Sequence, residues 1–156
     1  MNRLGGIVTG VFLADAGGQP MRSVTTAEAI PGQGLTSDRY SSGLGEWSYD
    51  ARLCNDVTLI ATEVLAAIVA EGGPDLRSGL HRRNVETTGI DLISLIGGRF
   101  RIGAVALQGD RACDPCRYLD GVVGVSAMAA LRERGGLRAT ILGTGVLRVG
   151  DPVTAE

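Results

Sequence analysis

The chain has no lysine, and all fifteen of its basic residues are arginine. A side-chain Schiff base, to pyridoxal phosphate or to a carbonyl substrate, is therefore excluded. Anion recognition falls instead to planar guanidinium forks, which suit phosphate and carboxylate. Histidine occurs once and cysteine three times; an odd number of thiols argues against a disulfide framework and for a reducing, cytoplasmic compartment. Aromatics are scarce, at 4%. No apolar run approaches the ~20 residues needed to span a bilayer. The opening Met1–Ala16 imitates a secretory signal, but Gly5, Gly6, Thr9 and Gly10 among its β-branched residues suit a strand better. With a net charge of −2, neither nucleic acid nor an anionic membrane is expected as a partner. Walker A and Rossmann fingerprints and internal repeats are missing too, which disfavours a nucleotide fold.

What is present is a chain of 156 residues, expected to form one domain over 1–156, with 24 glycines that suggest many short elements joined by tight turns. Alternating and β-branched runs predict strands over Gly6–Ala14, Met21–Ile30, Asp56–Ile60, Val85–Thr88, Arg99–Ile102, Ala104–Gln108, Leu137–Leu142 and Val146–Val149. Helical spacing predicts Glu63–Glu71 with Thr62 as N-cap, a turn at Asp91–Ile96, and Ala127–Arg134 capped by Ser126. About eight strands and two or three short helices imply a mainly β fold, a closed or nearly closed β-barrel.

Three polar stations interrupt these apolar elements. Gly34–Tyr40 gathers Ser37, Asp38, Arg39 and Tyr40 inside a long loop over 31–50. Ser78–Asn84 carries His81, Arg82, Arg83 and Asn84; adjacent residues of an extended chain point to opposite sides, so at most one of the two arginines is expected to face a pocket. Gly109–Leu119 sets Cys113 and Cys116 three apart, with Pro115 before Cys116 and Arg117 after it, and Asp114 and Pro115 predict a loop. Arg111 and Arg117 would favour the thiolate of Cys116. Half of a zinc site completed by Cys54 and His81, a thioredoxin-like redox pair and plain structural cysteines are alternatives the motif leaves open.

Taken together, GLTSDRY at 34–40, RRNVETTG at 82–89 leading into Asp91, Leu92 and Leu95, FRIG at 100–103, CDPC at 113–116, GLRA at 136–139 and VGD at 149–151 resemble a MOSC domain, the module at the C-terminus of molybdenum cofactor sulfurases. The resemblance runs from about Ile7 to Val153. Members commonly carry glycine where Ser37 stands, and related amidoxime-reducing proteins carry proline where Arg83 stands. The resemblance implies a β-barrel with a groove for the pterin-bound molybdenum cofactor. Cys116 would carry a persulfide or ligate molybdenum, and Arg82 and Asn84 would lie against the cofactor. Ser37, Asp38, Arg39, Tyr40, His81, Arg83, Cys113 and Arg117 complete the expected binding set. Phosphate or sulfate is expected to bind near Arg39 and Arg82 when cofactor is absent. The implied roles are sulfur transfer from a separate cysteine desulfurase, or molybdenum-dependent reduction of N-hydroxylated compounds with a separate electron donor. A non-catalytic molybdopterin carrier is the alternative. Pyridoxal phosphate belongs to a desulfurase domain fused to some relatives, and this lysine-free chain cannot hold it as an aldimine.

Overall fold

The computed structural model describes residues 5–45, 48, 56–115, 117–123 and 126–156, with backbone alone at Arg117 and Val123. Seven strands close into a barrel: β1 (Gly5–Leu13), β5 (Val57–Ala61), β6 (Val85–Thr88), β7 (Arg99–Ile102), β8 (Val105–Ala112), β9 (Leu137–Ile141) and β11 (Pro152–Ala155). Around the ring the order is β11, β7, β8, β9, β5, β6, β1, and β1 pairs back onto β11 with Gly5 opposite Thr154. All neighbours are antiparallel except β5 and β6, whose parallel register is reached through the helix α1 (Thr62–Ala70). Outside the ring, β2 (Arg22–Val24) adds to the far end of β1. The strands β3 (Thr26–Ile30), β4 (Gly34–Leu35) and β10 (Gly145–Arg148) make a separate small sheet.

Alternation explains the barrel core. Val8, Val57, Leu59, Val85, Phe100, Ile102, Leu107, Ala139 and Val153 point inward and are buried together. Ile60 points the other way, into a second cluster with Leu65 and Ile68 of α1, Leu76, Leu119 of α2 (Arg117–Val123), and Ala127 of α3 (Ala127–Ala130) next to Leu131. Central β5 is therefore apolar on both faces and pins the helices against the ring. Truncating Ile68 or Leu131 to alanine would cost roughly 2–5 kcal/mol.

The run Met21–Ile30 divides at Thr25 into two strands that serve different sheets, rather than forming one. Thr62 does not cap α1: Ala61 holds that position, and the Thr62 hydroxyl donates instead to the Thr87 carbonyl at 2.7 Å. Gly72, at φ +83°, does end the helix. Ser126 stands at the N-cap of α3 without a side-chain cap bond, and the Met128 N–H is taken by Asp120 at 2.8 Å. That helix stops at Ala130, short of Arg134. Strand β8 runs through Gly109 and Asp110 to Ala112, with a bulge between Gly109 and Arg111, so the third polar station begins on a strand.

Candidate functional site

The first station is held from inside. Leu35 closes β4 and Ser37 turns the chain at φ +71°, a left-handed conformation that glycine adopts without strain. Ser37 is exposed, and its carbonyl accepts from Arg22. Buried Asp38 accepts the Ala14 N–H at 3.1 Å and pairs with Arg39 at 3.0 Å. Arg39 also donates to Met21 Sδ and, through Nη2, to the Arg82 carbonyl, and its guanidinium lies 4.8 Å from the centre of the Tyr40 ring.

At the second station Arg82 sits at φ +63°, so the chain turns there instead of continuing extended. That turn overrides the strand-like expectation, and Arg82 and Arg83 both line the same cleft. Their guanidinium groups differ in what they contact. Arg83 gives Nε to the Gly135 carbonyl at 2.9 Å, Nη1 to the His81 carbonyl at 3.0 Å and Nη2 to the Cys113 carbonyl at 3.0 Å. It ties two stations together with one hydrogen bond from each of its three nitrogens. Arg82 gives Nη1 to the Gln19 carbonyl, while its buried Nε and Nη2 have no partner among the described residues. Burial, and after it the nearby Arg39 cation, push the Arg82 pKa down from the ordinary arginine value. Leaving a buried cation unpaired costs on the order of several kcal/mol.

His81 and Asn84 do not line the cleft. His81 is fully buried, its ring edge-on to Phe12 at 5.3 Å. Its Nδ1 accepts the Arg83 N–H at 2.8 Å, which leaves Nε2 to donate to Glu86 at 2.8 Å. This neutral tautomer has no lone pair free for zinc, and burial pushes the imidazole pKa down more strongly than Glu86 raises it. Asn84 donates to the Phe12 carbonyl and accepts from the Thr58 N–H and hydroxyl, clipping β1, β5 and β6 together.

The third station reaches the cleft through Cys113, Asp114 and Pro115, with Tyr118 and Leu119 following on α2. Cys113 is 2% exposed, and its N–H donates to the Gly136 carbonyl at 2.8 Å. A Cβ added at Gly135 would overlap the Cys113 carbonyl oxygen, so only glycine permits this approach. Cys54, Cys116 and the side chain of Arg117 lie outside the described residues.

The cleft so formed measures about 50 Å³, and its described lining holds four arginines, Arg39, Arg82, Arg83 and Arg138, against one carboxylate, Asp114. Thr58, Tyr118 and Arg138 were not nominated from the sequence. Arg138 stood inside the GLRA motif and Tyr118 two residues past Cys116, and only the pairing of β9 with β5 and β8 brings Arg138 to this face. A larger groove of about 960 Å³, bordered by Glu63, Asp91 and Glu133, contains none of the nominated residues.

The family model of the MOSC domain matches residues 39–154, a span that takes in the second and third stations and, of the first, Arg39 and Tyr40. The chain belongs to the MOSC domain family. Among solved structures, YuaD from Bacillus subtilis superposes on this MOSC protein with a TM-score of 0.76 at 16% identity, covering 96% of this chain and 94% of that one. YiiM from Escherichia coli gives 0.66 at 15% identity over 100% of this chain and 70% of its own. YiiM from Geobacillus stearothermophilus gives 0.66 at 16% over 99% and 74%. At such identities the likeness is one of fold. Among proteins of curated function, none matches the chain in sequence. No helix among the described residues is long and apolar enough to cross a membrane.

Proposed function

We propose that this MOSC protein binds the pterin-borne molybdenum cofactor at the arginine cleft and works through Cys116, either as a persulfide carrier in sulfur transfer or as a thiolate ligand in molybdenum-dependent reduction of N-hydroxylated compounds. The observation that carries the reading is Arg82, a buried cation with two donors unpartnered among the described residues, on a cleft that Cys113, Asp114 and Pro115 also line. The residues fit the anionic end of that cofactor. A phosphate monoester brings about −2 of charge, and the described lining is short of negative charge. The described lining does not enclose a whole pterin, because about 50 Å³ is far below the space that surrounds a ligand of that size. When bound, the group supplies a soft metal that accepts thiolate, together with redox chemistry. In this proposal Arg82 holds the anion, Arg39 and Arg83 fix the backbone around it, and Cys113 keeps the cysteine loop in place. The protein acts as a single domain in the cytoplasm, with a desulfurase or an electron donor as partner.

Loading the purified protein with cofactor and measuring molybdenum and pterin per chain tests this. One equivalent of each is expected, with molybdenum or persulfide lost in Cys116→Ser and kept in Cys113→Ser. Pterin retained equally by all three, with no persulfide and no turnover of a hydroxylamine-type substrate, would favour the non-catalytic carrier. Stoichiometric zinc, or no pterin at all, would overturn the proposal.

A further inference from the structure

The groove of about 960 Å³ is separate from the arginine cleft. Thr58 lines the cleft and Ala61 the groove, roughly 10 Å further along β5. Likewise Arg82 and Arg83 lead into the parallel strand β6, and Gly89 follows its end. A ligand of the groove is therefore independent of the cofactor reading. Its floor is apolar, from buried Ile90 and Leu92 through half-buried Val64 to exposed Ile93. Three separate segments bring carboxylates to it: Glu63 from the first turn of α1, Asp91 from the turn after β6, and Glu133 from the turn before β9. Glu63 accepts the Gly89 N–H at 2.8 Å and Asp91 the Ile93 N–H at 3.1 Å, bonds that orient both groups without neutralising them. The cation on the described lining, Arg134, is committed elsewhere. Its two Nη atoms meet the Glu71 oxygens at 3.1 and 2.8 Å, and its Nε donates to the Ala130 carbonyl. Three negative charges thus remain over an apolar surface, more than the net −2 of the whole chain, and such a cleft focuses a field that draws in cations. The charges do not converge on a point: among the described residues no three acidic, histidine or cysteine side chains are placed to hold one metal ion. A point cation leaves part of that charge unmet. A methylene chain with an ammonium at each end can reach separate carboxylates and lay its apolar body on the floor between them. The volume lies in the range of small-molecule sites.

We propose that this groove is a binding site for a small aliphatic polyamine, its ammonium groups held by Glu63, Asp91 and Glu133 and its methylenes packed on Val64, Ile90 and Leu92.

The test is titration of the full chain, at physiological ionic strength, with spermidine, cadaverine, pentylamine, magnesium and trilysine, followed by calorimetry and by amide NMR. Spermidine and cadaverine should saturate at one equivalent and move the amides of Gly89, Asp91 and Gly136. Pentylamine has the methylenes and a single ammonium, so it should bind about fivefold more weakly than cadaverine, or worse. Magnesium has the charge without the methylenes and should not saturate on those amides. Glu133→Gln, at an exposed position, should fold like wild type and weaken cadaverine about fivefold. Glu28→Gln, exposed on β3 in the separate small sheet, should bind like wild type. No saturation by either polyamine at millimolar concentration would overturn the site without reference to any variant. So would unchanged affinity in Glu133→Gln, magnesium matching cadaverine, or saturation that moves amides only elsewhere. Trilysine bound far more tightly than spermidine on the same amides would assign the groove to a partner protein's basic segment and overturn the polyamine. Polyamine bound by a protein that retains no pterin sinks the cofactor reading alone, and pterin retained without polyamine binding sinks this one alone.

Discussion

Arg39 donates through Nη2 to the backbone carbonyl of Arg82, 3.2 Å away, while its Nη1 is paired with Asp38 at 3.0 Å. An ion pair buried at the first station thus fixes the backbone that aims the unpaired cation of the second.

Removing one partner strands the other. Arg39→Ala should destabilise the fold by about 3–5 kcal/mol, because the Asp38 carboxylate is left buried without its counter-charge. The double variant Asp38→Asn, Arg39→Met should recover most of that loss, since the asparagine oxygen still accepts the Ala14 N–H. Urea denaturation midpoints check both; a double variant as unstable as Arg39→Ala would show that the pair is not the source of the loss.

His81 predicts a pH slope. The native state buries the neutral imidazole with its pKa below the ordinary 6.5, so the unfolded chain binds the proton more readily. Stability should be flat with respect to this group above that value and should fall as pH drops through it toward the lower native pKa. Unfolding free energies between about pH 7.5 and 5.5, compared in wild type and His81→Gln, read the effect directly. An identical slope in both proteins would assign the dependence to other groups.

Ser37 holds a left-handed φ that costs a residue with a Cβ roughly 1–2 kcal/mol. Glycine gives back roughly 0.5–1 kcal/mol of that in chain entropy. Ser37→Gly should therefore raise stability by on the order of 0.5 kcal/mol, and Ser37→Val should lower it. A drop on Ser37→Gly would mean that the serine side chain contributes something the backbone conformation does not reveal.

Cys113 is buried, with its N–H and carbonyl both engaged. Iodoacetamide should label it slowly in the native protein and rapidly in urea, and under the proposed function Cys116 should react first at neutral pH. Peptide mapping after timed quenching decides the order. Cys113 labelled first in the folded chain would reverse the roles assigned to the two thiols.

Much of the barrel was legible because inward and outward residues alternate along β7, β8 and β9. What was not legible depended on partners distant in sequence. Nothing near Thr25 announces that Arg22–Val24 will join β1 while Thr26–Ile30 joins β10. Pro152 reads as a breaker, yet at the first position of a strand it loses no required donor, so β11 escaped notice. The strand expected to end at Gln108 runs on through Gly109, where the Leu95 carbonyl crosses too closely for any side chain. At the site, motif and charge pointed to loops that line the arginine cleft. Which arginine keeps free donors is set by where the carbonyls of Gln19, Gly135 and Cys113 end up, and residue type alone carries no trace of that.

The pairing of Gly5 with Thr154 has a consequence during synthesis. Strand β11 joins β7 to β1, so a nascent chain ending before residue 152 presents two open strand edges on an otherwise assembled sheet. Such edges invite pairing with neighbouring chains. On the ribosome the barrel cannot shut until nearly the last of these residues has emerged, and it is in that interval that the protein is most exposed to aggregation.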